Sequence, residues 1–262
     1  MLLQGKQIVV MGLVNTQSLA WAIGQKAASL GAEVIYTVQS QRHRDVFLRR
    51  SFQKEGLEVD DYRMIPCDVT KDEELQAAFA DESLQIDGLV HCIGYANPKT
   101  CLAEKLSDAP RQDVLLALEI SAASLAFAAA AAQPRLKKGA SIVALTFASH
   151  QVFPHYNWMG VCKAALEATA RYLARDMGPH GIRVNCLSAG PQQTLAAGNI
   201  PGFDVMSRVW PARSPLGWDV SSRTSVADSA AFLLSDLSAG MTGEVLHVDG
   251  GFHMMGMLGP EE

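Results

Sequence analysis

Two side chains in this 262-residue sequence could do proton chemistry together. Tyr156 and Lys163 stand seven residues apart. On a helix that is two turns, so the side chains would share one face about 10 Å apart along the axis. A phenol beside an ammonium can donate a proton or hold a developing oxyanion without help from a metal. The positive charge is expected to lower the phenol's pKa. Tyr95 and Lys99 make a second tyrosine–lysine pair, but Pro98 interrupts any helix there,. His150 and His155 lie near Tyr156, yet no Cys or His spacing suggests a metal site,.

Such a pair needs a scaffold, and the hydrophobic pattern outlines one. Short β-branched runs at 7–11, 33–37, 62–66, 88–92, 141–146, 183–188 and 244–248 read as strands,. Helical periodicity fills 18–30, 42–54, 71–83, 111–132, 157–177 and 225–237, with Ser18 and Ser225 as expected N-caps,. Crossover helices make the sheet parallel. Right-handed crossovers then give a doubly wound, Rossmann-type α/β sandwich in one domain, 1–262,. The one long irregular stretch, 189–224, holds Pro191, Pro201, Pro211 and Pro215. Its apolar residues suit a lid over a lipophilic substrate better than a plain connector. Phe203 and Met206, three apart, would share a face of a short helix there and line a tunnel.

The first strand gives way to the first helix over 12–18, where a Rossmann fold seats a pyrophosphate on the helix N-terminus,. No GxGxxG is present. Gly12 is followed by five other residues before Ser18 and Leu19, so backbone N–H groups and the Ser18 hydroxyl would have to act as phosphate donors,. After the third strand, Asp68 and Val69 reach toward an adenine, or Asp68 caps the next helix. After the fourth, Gly94 beside Ile93 lets the backbone approach a flat ring, though a plain turn glycine is an equal reading. Asp249, Gly250 and Gly251 read as a structural end to the last strand.

Composition narrows the partners. A formal charge of -5 and a pI near 5.8 offer no basic field for nucleic acid or an anionic membrane,. Five cysteines, odd in number and without a CxxC pair, fit a reducing cytosol,. The N-terminal residues run directly into the first strand with no signal-peptide pattern. The apolar run 115–132 is interrupted by Glu119 and serines and reads as a buried, close-packed helix rather than a membrane span,.

The first turn, Gly12-x5-Ser18-x-Ala20-Trp21, resembles that of the divergent short-chain dehydrogenases/reductases typified by the bacterial enoyl-acyl-carrier-protein reductases. Further matches follow in order at Cys67-Asp68-Val69, His91-Cys92-Ile93-Gly94-Tyr95-Ala96, Ser188-Ala189-Gly190-Pro191, Thr194-Leu195-Ala196-Ala197 and 243–252. Most mainstream members of the superfamily use YxxxK. The longer YxxMxxxK spacing, matched here from Tyr156 through Met159 to Lys163, is peculiar to these enoyl reductases.

The resemblance implies hydride transfer from a nicotinamide to the β-carbon of an enoyl thioester, with the enolate oxygen hydrogen-bonded by Tyr156. It implies that Lys163 reaches the nicotinamide ribose. Gly12, Ser18, Leu19, Gln39, Asp68, Val69, Ile93, Gly94, Gln192 and Thr194 would hold the dinucleotide, and Ala96, Phe203 and Met206 the substrate. Glutamine at position 39 goes with NADH, because its amide bonds the 2′-hydroxyl and offers no charge to a phosphate; Arg42 and Arg44 leave NADPH open. The carrier would be acyl-carrier protein or coenzyme A, and the enzyme a cytoplasmic homotetramer.

Two positions depart from the family pattern. The second tyrosine usual just after the fifth strand is replaced, with Thr146 at that position followed by Phe147. Gln192 and Gln193 stand where an isoleucine–arginine pair is common. Three readings therefore stay open: a housekeeping fatty-acid enoyl reductase, a paralogue serving specialised acyl chemistry or inhibitor resistance, and a dinucleotide-binding protein without turnover.

Overall fold

Alternation along each strand decides the layering. The computed structural model describes residues 1–195 and 197–256. In β1 (Gln7–Met11), Val9 and Met11 face one side of the sheet and Ile8 and Val10 the other, and all four are buried. Both faces are covered, as a parallel sheet requires. The strands β2 (Glu33–Val38), β3 (Met64–Pro66), β4 (Ile86–His91), β5 (Leu136–Thr146), β6 (Arg183–Ala189) and β7 (Val245–Val248) join β1 in one parallel sheet. Their order is β3-β2-β1-β4-β5-β6-β7. This is the doubly wound arrangement the strand pattern predicts. The order reverses between β1 and β4, so the turns leaving these two strands part and open a crevice at the carboxyl edge.

The helices α1 (Leu19–Ser29), α2 (Arg49–Lys54), α3 (Asp72–Ala78), α4 (Arg111–Leu118), α5 (Ser124–Ala132), α6 (Asn157–Met177), α7 (Phe203–Arg213) and α8 (Thr224–Leu234) fill the connections. Residues of α1, α2 and α8 cover one face of the sheet, and those of α3, α5 and α6 the other. Helices α4 and α5 belong to one long helix, 111–135, widened by a π turn at Glu119–Ala123. By length and composition this helix is apolar enough to cross a membrane. Here Leu125, Ala128, Ala129 and Ala132 pack into the core beside α6.

Several expected boundaries move, three of them for a clear local reason. Ser225 does not cap α8: the helix starts one residue earlier, and Ser225 already accepts a helical bond from the Ser229 hydroxyl. Arg223 stands at the cap, its guanidinium held by the Gln193 and Ser221 carbonyls. Helix α3 stops at Ala78 rather than at 83, because Asp81 draws the Ser83 N–H and hydroxyl into a competing turn,. The expected irregular stretch after β6 contains α7, with Pro211 inside it and Trp210 buried beneath it.

The core carries thiols whose ionisation opposes folding. Burial pushes Cys67, Cys92 and Cys186 up to about 12 and Cys162 to about 11, from an ordinary value of 9.0. The unfolded chain would shed these protons first, so the stability they secure is complete below pH 9 and lost as pH rises toward 12. Each thiol contributes at most about 1.4 kcal/mol per pH unit in that window. Thermal unfolding should therefore give a Tm that is steady near neutrality and falls progressively above pH 9. A Tm unchanged up to pH 11 would show that the thiols titrate normally.

Candidate active site

Backbone geometry sets the position of Tyr156. The residues on either side, His155 and Asn157, are both left-handed, with φ of 64° and 34°. Asn157 donates its side-chain amide to the Ala103 carbonyl. Trp158 donates its backbone N–H to Cys101 at 3.2 Å and its indole N–H to Leu106 at 2.8 Å. The start of α6 is thus tied to the segment following β4. Tyr156 immediately precedes the helix and Lys163 lies two turns away; each is 8% exposed, and both line one cleft.

The electrostatics run against the expectation for the phenol. Burial raises the Tyr156 pKa above its ordinary 10.0, and the nearby Cys162 thiol pushes it in the same direction,. The Lys163 ammonium donates to the Leu145 carbonyl at 2.8 Å, and burial lowers its own pKa. Tyr156 is therefore protonated at neutral pH, the state a hydrogen-bond donor needs.

The cleft, about 370 Å³, lies at the carboxyl edge of the sheet. Twelve of the fifteen residues expected at the site line it: Tyr156 and Lys163, Gly12, Ser18 and Leu19, Ile93, Gly94 and Ala96, Gln192 and Thr194, and Phe203 and Met206. Gln39, Asp68 and Val69 do not. Gln39 is exposed just past β2, and Val69 is packed in the core. Asp68 neither caps α3 nor faces the cleft; its carboxylate accepts from the Thr70 N–H at 3.1 Å and hydroxyl at 2.8 Å. Ser18 caps α1 as expected, accepting from Trp21 N–H at 3.2 Å. Its hydroxyl proton goes to the Asn15 carbonyl at 2.7 Å, so it is not the free donor anticipated for a phosphate. Of the matched run Thr194 to Ala197, Ala196 lies outside the described residues.

Two features fit a bound dinucleotide. A Cβ on Gly94 would meet only Lys163 Nζ at 3.6 Å and Ser121 Oγ at 3.9 Å, so packing within the protein does not require glycine there. A side chain would instead fill the cleft. Gln192 is 5% exposed, yet its Oε1 and Nε2 have no partner. Among the described residues, no three His, Cys, Asp or Glu side chains gather as a metal site.

Sequence reasoning missed Glu167 and Ser149. β5 ends at Thr146, whose hydroxyl donates to Glu167 at 2.7 Å, while Ser149 donates to the other carboxylate oxygen at 2.5 Å. Glu167 follows Lys163 by one turn on the buried face of α6, and a carboxylate on that apolar stripe was the available signal,. Thr146 is thus not the residue that faces Tyr156. Phe147 is, with ring centroids 5.0 Å apart. The ring beside Tyr156 therefore carries no hydroxyl.

The family model described as enoyl-(acyl carrier protein) reductase matches residues 12–253. The chain belongs to that family. It is 42% identical over 261 residues to the NADH-type enoyl-acyl-carrier-protein reductase FabI of Bacillus cereus, covering 97% of this chain and 99% of the relative. An NADPH-type FabI of Staphylococcus aureus is 39% identical, covering 96% of this chain and 98% of its own. The Bacillus cereus reductase solved with NADP+ and indole naphthyridinone superposes with a TM-score of 0.88 at 42% identity, covering 98% of this chain and 99% of that one. The NADH enzyme of Aquifex aeolicus gives 0.88 at 34%, covering 98% and 100%.

For this enoyl-acyl-carrier-protein reductase, Gly94→Ala separates fold from ligand. The added methyl has only ordinary contacts, so Tm should stay within about 2 °C of the parent. NADH affinity, followed by fluorescence titration, should fall by about tenfold or more, since the methyl takes ligand space. Unchanged affinity would remove Gly94 from the site.

Proposed function

We propose that this reductase saturates the C2=C3 bond of a trans-2-enoyl thioester on acyl-carrier protein, with NADH as reductant and Tyr156 and Lys163 as its active pair. The convergence of these two buried side chains on an apolar cleft at the switch point of the sheet carries this reading. Bound NADH supplies the hydride that adds to C3. Tyr156 donates a hydrogen bond to the thioester oxygen, where negative charge collects, a contribution of a few kcal/mol in a site shielded from water. Lys163 holds the ribose, and its buried charge favours the developing anion. Protonation at C2 completes the reduction.

The remaining roles follow the cleft. Gly12 just after β1 and the backbone N–H groups of Ser18 and Leu19 at the start of α1 receive the pyrophosphate, and the adenine end runs beyond the cleft toward Asp68 and Val69. Ile93 and Gly94 flank the dinucleotide, and Gln192 and Thr194 take its nicotinamide end. Ala96, Phe203 and Met206 exclude water around the acyl chain, with 189–224 as a lid within the single domain 1–262. Gln39 takes the adenosine ribose. Arg44 is engaged by Asp45 at 2.9 Å and Asp60 at 2.5 Å, which supports NADH over NADPH. Apolar residues exposed on the long helix and α6, Leu115, Phe127 and Tyr172 among them, support a homotetramer,. Its free cysteines suit a reducing cytoplasm,.

A direct test follows oxidation of NADH by the purified protein with a crotonyl thioester. Tyr156→Phe should keep cofactor affinity and lower turnover by about 10²-fold or more. Full activity in this variant would refute the assignment.

The phenyl ring of Phe147 favours a paralogue that accepts bulkier or branched acyl groups, since the pocket lacks one phenol hydrogen bond. Steady-state rates with straight and branched enoyl thioesters should shift toward the straight chain in Phe147→Tyr. Thr146→Tyr should instead lower Tm, because it breaks the buried bond to Glu167. Identical substrate profiles for the parent and Phe147→Tyr would return the housekeeping reading to first place.

A further inference from the structure

The turn after β1 is poor in glycine, and the Ser18 hydroxyl is given to the Asn15 carbonyl. What remains to meet an anion there is backbone N–H. Gly12 and Leu13 give theirs to the Thr37 hydroxyl and carbonyl, at 3.3 and 3.0 Å. The N–H groups of Asn15 and Leu19 find no acceptor among the described residues, and both residues line the cleft. Leu19 is aimed by the helix it begins,. Asn15 lies outside any helix, so its peptide plane needs another hold.

The helical stretch after β2 provides it. This stretch opens with a π turn, His43–Leu48, a form that is rare in proteins and frequent at functional sites,. Ser40 fixes where the π turn starts, its hydroxyl accepting the His43 N–H at 3.1 Å. The His43 ring stacks on Phe47 with centroids 5.5 Å apart, and its Nε2 lies 3.0 Å from the Val14 carbonyl oxygen. A carbonyl only accepts, so the imidazole is the donor. Farther along, Ser51 of α2 accepts the Thr16 N–H at 3.2 Å, and Glu55 at the helix end accepts the Thr16 hydroxyl at 2.5 Å. The turn is thus gripped at Val14 and at Thr16, on either side of Asn15.

A trans peptide sends its C=O and N–H to opposite edges. The Val14 carbonyl is turned to His43, which does not line the cleft, so the Asn15 N–H of the same peptide points the other way, toward the cleft. Without that anchor the plane can turn over and offer an anion a carbonyl oxygen instead. We infer that His43 is a positioning residue for the dinucleotide: by holding the Val14 carbonyl it aims the Asn15 N–H at the pyrophosphate. The inference rests on the dinucleotide reading of the cleft.

The test measures NADH dissociation constants by protein-fluorescence titration, without turnover, for the parent, His43→Leu and His43→Gln. Leucine keeps an apolar side chain against Phe47 but cannot donate, whereas glutamine donates from an amide. His43→Leu should weaken NADH by about tenfold, the cost of one misaligned bond to a charged group, and hold Tm within about 2 °C of the parent. His43→Gln should stay within about threefold of the parent's affinity. At saturating NADH, kcat and the KM for a crotonyl thioester should match the parent in both variants, because the reacting pair is untouched. An unchanged NADH affinity in a folded His43→Leu overturns the inference. So does a His43→Gln that loses as much as His43→Leu, or a fall in kcat parallel to the loss of affinity, which would mark a loosened fold. A parent that binds no NADH would sink the cofactor reading itself, and this inference with it.

Discussion

An ammonium removed from water is the constraint around which the site is organised. Lys163 is buried, and its ammonium donates to the Leu145 carbonyl near the end of β5. Isolated buried charge is expensive unless nearby groups answer it. Glu167, one turn along α6, supplies the opposite sign and uses its two oxygens to hold Thr146 and Ser149, so the strand end that bears Leu145 cannot drift. The other neighbours stay neutral. Burial drives His91 down to about 3 and the surrounding thiols up, so neither a second cation nor a thiolate competes beside Lys163.

From Tyr156 outward, contact is aromatic. Phe147 lies 5.0 Å from Tyr156 and 5.4 Å from Trp210, and Trp210 stacks on Phe252 with centroids 3.7 Å apart. The Trp210 indole N–H donates to the Asp249 carbonyl at 3.0 Å, while the Asp249 carboxylate accepts from the Gly251 and His253 N–H groups. The turn after β7, read as structural from its glycines, is the anchor on which α7 rests. Helix α7 and the phenol therefore share one packed unit.

What could be read from the residues alone was whatever depends on periodicity and spacing. The seven strands, the N-cap at Ser18 and the pairing of Tyr156 with Lys163 across two turns follow from hydrophobic alternation and helix geometry. Burial was not legible in the same way. Spacing placed a cation near Tyr156 and suggested a lowered pKa, whereas desolvation raises it. Side-chain direction was also hidden, so Thr146 was assigned the place that Phe147 holds. Gln39, Asp68 and Val69 were named from strand ends. Strand ends put them on the correct edge of the sheet but not in the cleft itself, because local turns and the core claim two of them.

The left-handed residues flanking Tyr156 have a consequence for how such a chain evolves. Neither His155 nor Asn157 is glycine, and each unfavourable backbone conformation costs on the order of 1 kcal/mol or more,. A sequence optimised for stability alone would relax that segment with glycines. Retaining bulkier residues there gives up thermal margin in exchange for a tyrosine whose approach to the cleft has almost no conformational freedom.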